Sequence, residues 1–266
     1  MNIGRPARGA AVAVLTPLLA ALVLAGCGSS SGSGSSNSDS SKNATLDVLG
    51  AASLTGTFTT LAKDFEKKHP GVKVKLAFDS SATLAEQVNQ GAPADVLATA
   101  DTDTMQTVVK AGNTAKKPVL FATNHLQLAV PKDNPAGITK FGDLNKPSVK
   151  YVVCVPTAPC GKLAKKVLAQ TGVTHKPVSE EVDVKAVFTK VAQGEADAGL
   201  VYRTDVIAGG SQLKPIDVPT TNGNLNQYPI APLQDSKQSK LAQQFVDLVL
   251  SPTGQQVLAK AGFGKP

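Results

Sequence analysis

Ala51-Ala52-Ser53-Leu54-Thr55 and Asp79-Ser80-Ser81-Ala82-Thr83-Leu84 are two short hydroxyl-bearing turns, each following an apolar, strand-like run and opening a helix-like one. Thr45-Leu46-Asp47-Val48-Leu49 leads into the first, and behind it Leu54, Phe58, Leu61, Ala62 and Phe65 recur at helical spacing. Val72-Lys73-Val74-Lys75-Leu76-Ala77-Phe78 leads into the second, and Leu84 and Val88 carry the pattern on towards Gly91. Backbone N–H groups in the first turn of a helix are unpaired and carry partial positive charge, so a bound anion can satisfy them. Neither turn holds Lys or Arg, and an anion there would meet neutral N–H and O–H dipoles, which suits a small oxyanion that must be released again. Taken singly, Ser53 and Ser81 read as ordinary N-caps. Two such turns in succession weigh against that plainer reading.

Outward from these turns, alternating strand-like and helix-like segments predict an α/β fold of βαβ units. Ala94-Asp95-Val96-Leu97-Ala98-Thr99 reads as a strand, and Asp101 or Asp103 then caps a helix through Met105, Val108 and Val109 that stops at Gly112. Val119 to Phe121 and Leu126 to Val130 are strands around Thr123-Asn124-His125, where the chain can leave one lobe for another. Tyr151 to Val155 is a strand, Gly161 to Gln170 and Val184 to Gln193 are helices, and Ala198 to Tyr202 is a strand. After the turn-rich Pro219-Thr220-Thr221-Asn222-Gly223-Asn224, the segment Tyr228 to Leu233 makes a second crossing. Two helices follow, the second started by Ser251-Pro252. The expected division is a first lobe over residues 44–124 and 227–266, a second lobe over 125–226, and a ligand cleft between them.

The N-terminus is of another kind. Residues 1–26 read as an export signal, with Arg5 and Arg8 before an Ala/Leu/Val-rich stretch too short for a spanning helix. It ends in Leu24-Ala25-Gly26-Cys27, which resembles a bacterial lipobox and implies lipid on Cys27. Residues 27–43, almost all Ser and Gly, form a flexible tether. The body is then expected on the extracytoplasmic face of the cell membrane. With Cys27 assigned to lipid, Cys154 and Cys160 remain as an even pair in an oxidising compartment, and a local disulfide across a Pro-rich loop is expected. His69, His125 and His175 show no metal-ligand spacing to each other or to the cysteines. The net charge of +7 is mild, and its lysines are scattered with few aromatics among them, which offers no platform for nucleic acid.

Leu49-Gly50-Ala51-Ala52-Ser53-Leu54-Thr55, Ser80-Ser81-Ala82-Thr83-Leu84-Ala85 and Gln90-Gly91-Ala92-Pro93-Ala94-Asp95-Val96 together resemble the molybdate-binding proteins of ABC uptake transporters. Gly199-Leu200-Val201-Tyr202 with Asp205, Tyr228-Pro229-Ile230-Ala231 and Gly262-Phe263 extend the likeness from about Thr45 to Gly264. The resemblance implies a type-II periplasmic-binding-protein fold, monomeric and without a cofactor. Such a protein holds molybdate or tungstate between two lobes and delivers it to a permease. Carried over by position, the contacts are the hydroxyls and amides of Ser53 and Ser81, the amides of Cys160 and Val184, and the Tyr202 hydroxyl. Cys160 departs from the alanine expected there, which brings the expected disulfide onto the binding loop. On their own residues, Val184 reads as a plain helix position and Tyr202 as a buried strand aromatic. Molybdate near neutral pH offers only acceptors and so matches a site that offers only donors, with Asp79 and Asp95 expected to point away. Sulfate, another oxyanion or a small organic anion is the alternative within the same fold. A hydrolase is disfavoured, because Ser53 and Ser81 lie in no Gly-x-Ser-x-Gly turn and have no evident histidine partner.

Overall fold

The computed structural model describes residues 43–219 and 224–266. The export signal, the lipobox cysteine, nearly all of the tether and the centre of the 219–224 turn lie outside the described residues. Among those described, no helix is long and apolar enough to cross a membrane.

The first lobe begins with β1 (Thr45–Ala51), α1 (Thr55–Lys68), β2 (Lys73–Asp79), α2 (Ser81–Asn89), β3 (Val96–Ala98), α3 (Thr102–Lys110) and β4 (Val119–Asn124). The second holds β5 (Leu126–Pro131), β6 (Tyr151–Cys154), α4 (Pro159–Gln170), β7 (Ser179–Glu181), α5 (Val184–Ala192), β8 (Ala198–Tyr202), α6 (Arg203–Gly209) and β9 (Leu213–Ile216). The chain returns through β10 (Asn226–Pro232) and ends in α7 (Ser239–Leu250) and α8 (Pro252–Lys260). Each lobe has one five-stranded sheet, ordered β2-β1-β3-β10-β4 and β7-β6-β8-β5-β9. In the first sheet β1 is parallel to β2 and β3 while β10 is antiparallel to β3 and β4; in the second, β6 is parallel to β7 and β8 while β5 is antiparallel to β8 and β9. The sheet changes between Asn124 and Leu126, and again between Ile216 and Asn226.

Each sheet has its own core. Phe58 and Phe65 of α1, Phe121 of β4, Tyr228 of β10 and Phe245 of α7 are fully buried and stack edge-on or tilted with ring centroids 5.5–6.1 Å apart, which fixes the C-terminal helices to the first lobe. In the second lobe Leu128, Val152, Val187, Val191 and Leu200 close the sheet against α5. Ala52, from the first hydroxyl-bearing turn, packs into this second cluster, so the lobes touch at that turn. Capping follows the sequence at α3, where the Asp101 carboxylate accepts from the Thr104 N–H at 2.9 Å, and at α8, where Ser251 precedes Pro252 and accepts from the Gly254 N–H. Helix α4 starts at Pro159, two residues before the expected Gly161, because proline is favoured at N1. The pieces β7, α6 and β9 were not expected; all are short, and β7 and β9 are sheet edges.

Candidate functional site

The starts of α2, α4 and α5, together with the short 3-10 turn Ala52–Leu54 that runs into α1, converge where the lobes meet. They enclose a cavity of about 10 Å³. That is about the room of one water molecule, so as the lobes stand here the cavity is too small for a sugar or a peptide, and a tetrahedral oxyanion fits only once its walls part slightly. From the first lobe it is lined by Ala51, Ala52, Asp79, Ser80, Ser81 and Ala100. From the second come Pro159, Cys160, Asp183, Val184 and Tyr202. Wider grooves of about 380 and 450 Å³ open elsewhere along the lobes and also meet helix starts, at Gly56, Lys185 and Thr204 in one and Ala82 in the other. Neither is lined by Ser81, Cys160, Val184 or Tyr202, and we place the candidate site in the small cavity.

Ser81 is the first residue of α2 and is 1 % exposed. It is not an N-cap. Its Oγ accepts from the Ala100 N–H at 2.9 Å, which leaves the hydroxyl proton free to donate. Tyr202, at the end of β8, also accepts an N–H, Asn226 Nδ2 donating to its Oη at 2.6 Å, and its hydroxyl interacts with that of Tyr228. Burial, with the nearby Tyr228 and acidic groups, drives the Tyr202 phenol far above its ordinary pKa, so it remains a neutral donor. Val184 opens α5 behind its N-cap Asp183, whose carboxylate is turned onto the Ala186 N–H at 2.8 Å. Cys160 lies in the first turn of α4 and is disulfide-bonded to Cys154 at the end of β6, with Cα atoms 5.7 Å apart. The bond ties the start of α4 to the strand before it. Reduction is expected to cost about 2–3 kcal/mol in the chain-entropy model, given so short a loop. Melting with and without a reductant measures this, and two free thiols in the mass of the exported protein would refute the bond.

Ser53 is placed differently from its neighbours. It does not line the cavity, although Ala51 and Ala52 do; its Oγ lies 2.9 Å from Tyr228 Oη and borders the 380 Å³ groove. Tyr228 also receives Asn124 Nδ2 at 3.4 Å, and the same nitrogen donates to Thr204 Oγ1 at 2.9 Å. The Ser53 hydroxyl thus joins a buried polar chain at the crossing between lobes. Asp95 points away from the cavity, accepting from the Asp47 N–H and from Ser236 Oγ. Asp79 does not: it borders the cavity, with Oδ1 accepting the Ser80 N–H at 2.6 Å. That short local bond holds the carboxylate at the end of β2, beside the turn. The sequence reading also passed over Ser80 and Asn226. Ser80 could have been found from its place just before the helix; Asn226, in a strand that read as beginning at Tyr228, gave no signal.

No Lys or Arg lines the cavity. The nearest cross-lobe charge contact is Lys162 of α4, whose Nζ meets Asp101 Oδ2 at 2.8 Å and Thr104 Oγ1 at 3.4 Å. Among the described residues no group of three or more His, Cys, Asp or Glu side chains is placed to hold a metal ion. The arrangement can receive a small anion on hydroxyl and helix-start N–H dipoles.

The whole described body has known counterparts. The Molybdate-binding protein ModA of Mycobacterium tuberculosis is 40% identical over 258 residues, covering 96% of this chain and 99% of its own. The periplasmic molybdate-binding protein of Azotobacter vinelandii superposes with a TM-score of 0.74 at 21% identity over 83% of this chain and 99% of its own. The sulfate-binding protein SubI of Mycobacterium tuberculosis superposes with a TM-score of 0.73 at 20% identity, over 83% and 86%. At those identities the two superpositions speak for the two-lobed binding-protein fold and not for the ligand. With residues 46–264 matching the family described as Bacterial extracellular solute-binding protein, and a relative 40% identical along nearly its whole length, the chain belongs to the bacterial extracellular solute-binding proteins and is not an enzyme.

Proposed function

We propose that this protein captures molybdate, and tungstate with it, outside the cytoplasm and delivers it to an ABC permease, held at the membrane as a monomer by lipid on Cys27. The observation that carries the reading is the convergence of helix starts with the Ser81 and Tyr202 hydroxyls, both of which have their oxygens already occupied by N–H donors. A tetrahedral dianion that only accepts hydrogen bonds fits these donors, while the Asp79 and Asp183 carboxylates that also border the cavity are engaged by the Ser80 and Ala186 N–H groups. The mycobacterial relative supports the choice of oxyanion by its name and by its identity over nearly the full chain. Lobe closure on the bound anion would be the signal to the permease, because a ligand that contacts both lobes binds the closed state more tightly. The extracytoplasmic placement is supported by the family; the lipid rests on Leu24-Ala25-Gly26-Cys27 alone.

Melting the soluble body from about Ala44 onward against molybdate, tungstate, sulfate, phosphate and nitrate tests the ligand. An anion at ~100 times its dissociation constant adds about 2.7 kcal/mol, raising the melting temperature by roughly 5–10 °C for a chain of this size. The expected result is a shift with molybdate and tungstate alone. A shift with sulfate and none with molybdate would keep the fold and replace the ligand. Ser81→Ala and Tyr202→Phe are each expected to weaken molybdate binding by roughly 1–3 kcal/mol, the cost of removing a partner from a charged group. Titration calorimetry reads both, and unchanged affinity in both variants would overturn this placement of the site.

A further inference from the structure

Ser80 is the N-cap of α2, yet its side chain does not cap the helix. Its Oγ is buried and has no hydrogen-bond partner in the protein, and the residue is only 6 % exposed. The N-cap side chains of α3, α5 and α8 behave otherwise. Asp101, Asp183 and Ser251 each accept from the backbone N–H three residues on. The backbone of Ser80 is employed, its N–H donating to Asp79 Oδ1 and its carbonyl accepting from the Leu84 N–H. The hydroxyl alone is left over, and leaving a buried hydroxyl unpaired is costly, as is forgoing a cap. A residue held in that state at the wall of a ligand cavity signals a partner that is not part of the chain.

We infer that Ser80 Oγ–H is a direct ligand contact, donating to an oxygen of the bound oxyanion. With Ser81 beside it, the start of α2 presents two adjacent hydroxyls to the same anion, facing Cys160, Val184 and Tyr202 across the cavity. The two serines differ. Ser81 has spent its acceptor on Ala100 and is fixed in direction, whereas Ser80 is free to rotate onto whichever oxygen approaches. This inference rests on the oxyanion reading given above.

The test is Ser80→Ala, read by two measurements on the same soluble body. In the absence of anion the variant is expected to melt at the wild-type temperature or slightly above it, since it loses a group that bonds nothing in the protein. By calorimetric titration with sodium molybdate its dissociation constant is expected to rise about 10- to 100-fold. Wild-type protein that binds molybdate while Ser80→Ala binds it equally well would overturn the contact and leave the oxyanion reading intact. A variant that weakens binding but also melts well below wild type without anion would show a structural serine and likewise overturn it. Wild-type protein that binds none of molybdate, tungstate, sulfate or phosphate would overturn the oxyanion reading, and the contact with it.

Discussion

Replacing Lys185 by methionine is expected to destabilise the protein by roughly 2–3 kcal/mol at neutral pH and by much less in acid. Lys185, the second residue of α5, places its Nζ 2.8 Å from Oδ1 of Asp205, a carboxylate with no exposed surface. Asp205 Oδ2 accepts the Tyr202 N–H at 3.1 Å, so the same carboxylate holds the end of β8 where the Tyr202 side chain enters the site. Burial raises the Asp205 pKa above its ordinary value, and Lys185 with the Tyr202 N–H pulls it back. Removing one member of a buried pair leaves an uncompensated charge; the cost here falls below the range for a fully buried pair, because the Lys185 side chain keeps 38 % of its surface exposed.

The pH dependence has a definite sign. A carboxyl whose native pKa is raised binds its proton more readily folded than unfolded, so its contribution to stability is fully present below about pH 4 and is lost as pH rises through the native value. Without Lys185 that native value moves further up and the loss deepens, so the gap between wild type and Lys185→Met widens from acid to neutral pH. Denaturant unfolding at about pH 4 and pH 7 measures the gap. Adding Asp205→Asn to Lys185→Met should close most of it, since asparagine keeps an oxygen for the Tyr202 N–H and carries no charge. Equal loss at both pH values would assign the effect to packing of the lysine stem, whose Nζ lies 5.8 Å from the Phe188 ring centre, and not to charge.

Local signals in the sequence reached the βαβ order, the first change of sheet and the pairing of the cysteines, because each is written in contiguous residues. The second crossing, read at Tyr228 to Leu233, is made instead between Ile216 and Asn226, and Tyr228 to Pro232 lies within β10. The two strand–turn–helix runs became β1-α1 and β2-α2, and Thr123-Asn124-His125 is where the sheet changes. Contacts between distant segments were not legible. Ser53 and Tyr228 meet at 2.9 Å across 175 residues of chain, and nothing near Ser53 says that its hydroxyl turns there. Ser81 is not the N-cap because the helix begins one residue earlier than a Ser81 cap would give, at Ser81 itself, and Ser80 occupies the cap position. Cys160, Val184 and Tyr202 were named through family resemblance alone, since a helix start in one lobe acquires meaning only when the other lobe is set against it. Asp79 shows the converse, a charged side chain expected to avoid the cavity but kept at its edge by a bond to the next residue's N–H.

Gly161→Ala is expected to cost about 3 kcal/mol or more of stability and to weaken anion binding at the same time. A Cβ at Gly161 would stand 2.0 Å from the Val155 carbonyl oxygen and 2.6 Å from that of Cys154, and these are backbone atoms with no rotamer to yield. Retreat is blocked on both sides. Gly161 directly follows Cys160, whose disulfide ties the first turn of α4 to Cys154, and Cys154 ends β6, where it is paired with Glu181 of β7 in the second sheet. Relief therefore requires α4 to shift as a unit, and its start is one wall of the cavity. The melting temperature should fall by roughly 6–12 °C. Gly56→Ala supplies the control: it is an exposed position within α1 with nothing within 4 Å of its Cβ, where alanine is expected to stabilise by about 0.5–1 kcal/mol through helix propensity. If Gly161→Ala melted with wild type and bound molybdate unchanged, α4 would not be held against the Cys154 and Val155 carbonyls, and the rigid second-lobe wall on which the oxyanion site depends would have to be abandoned.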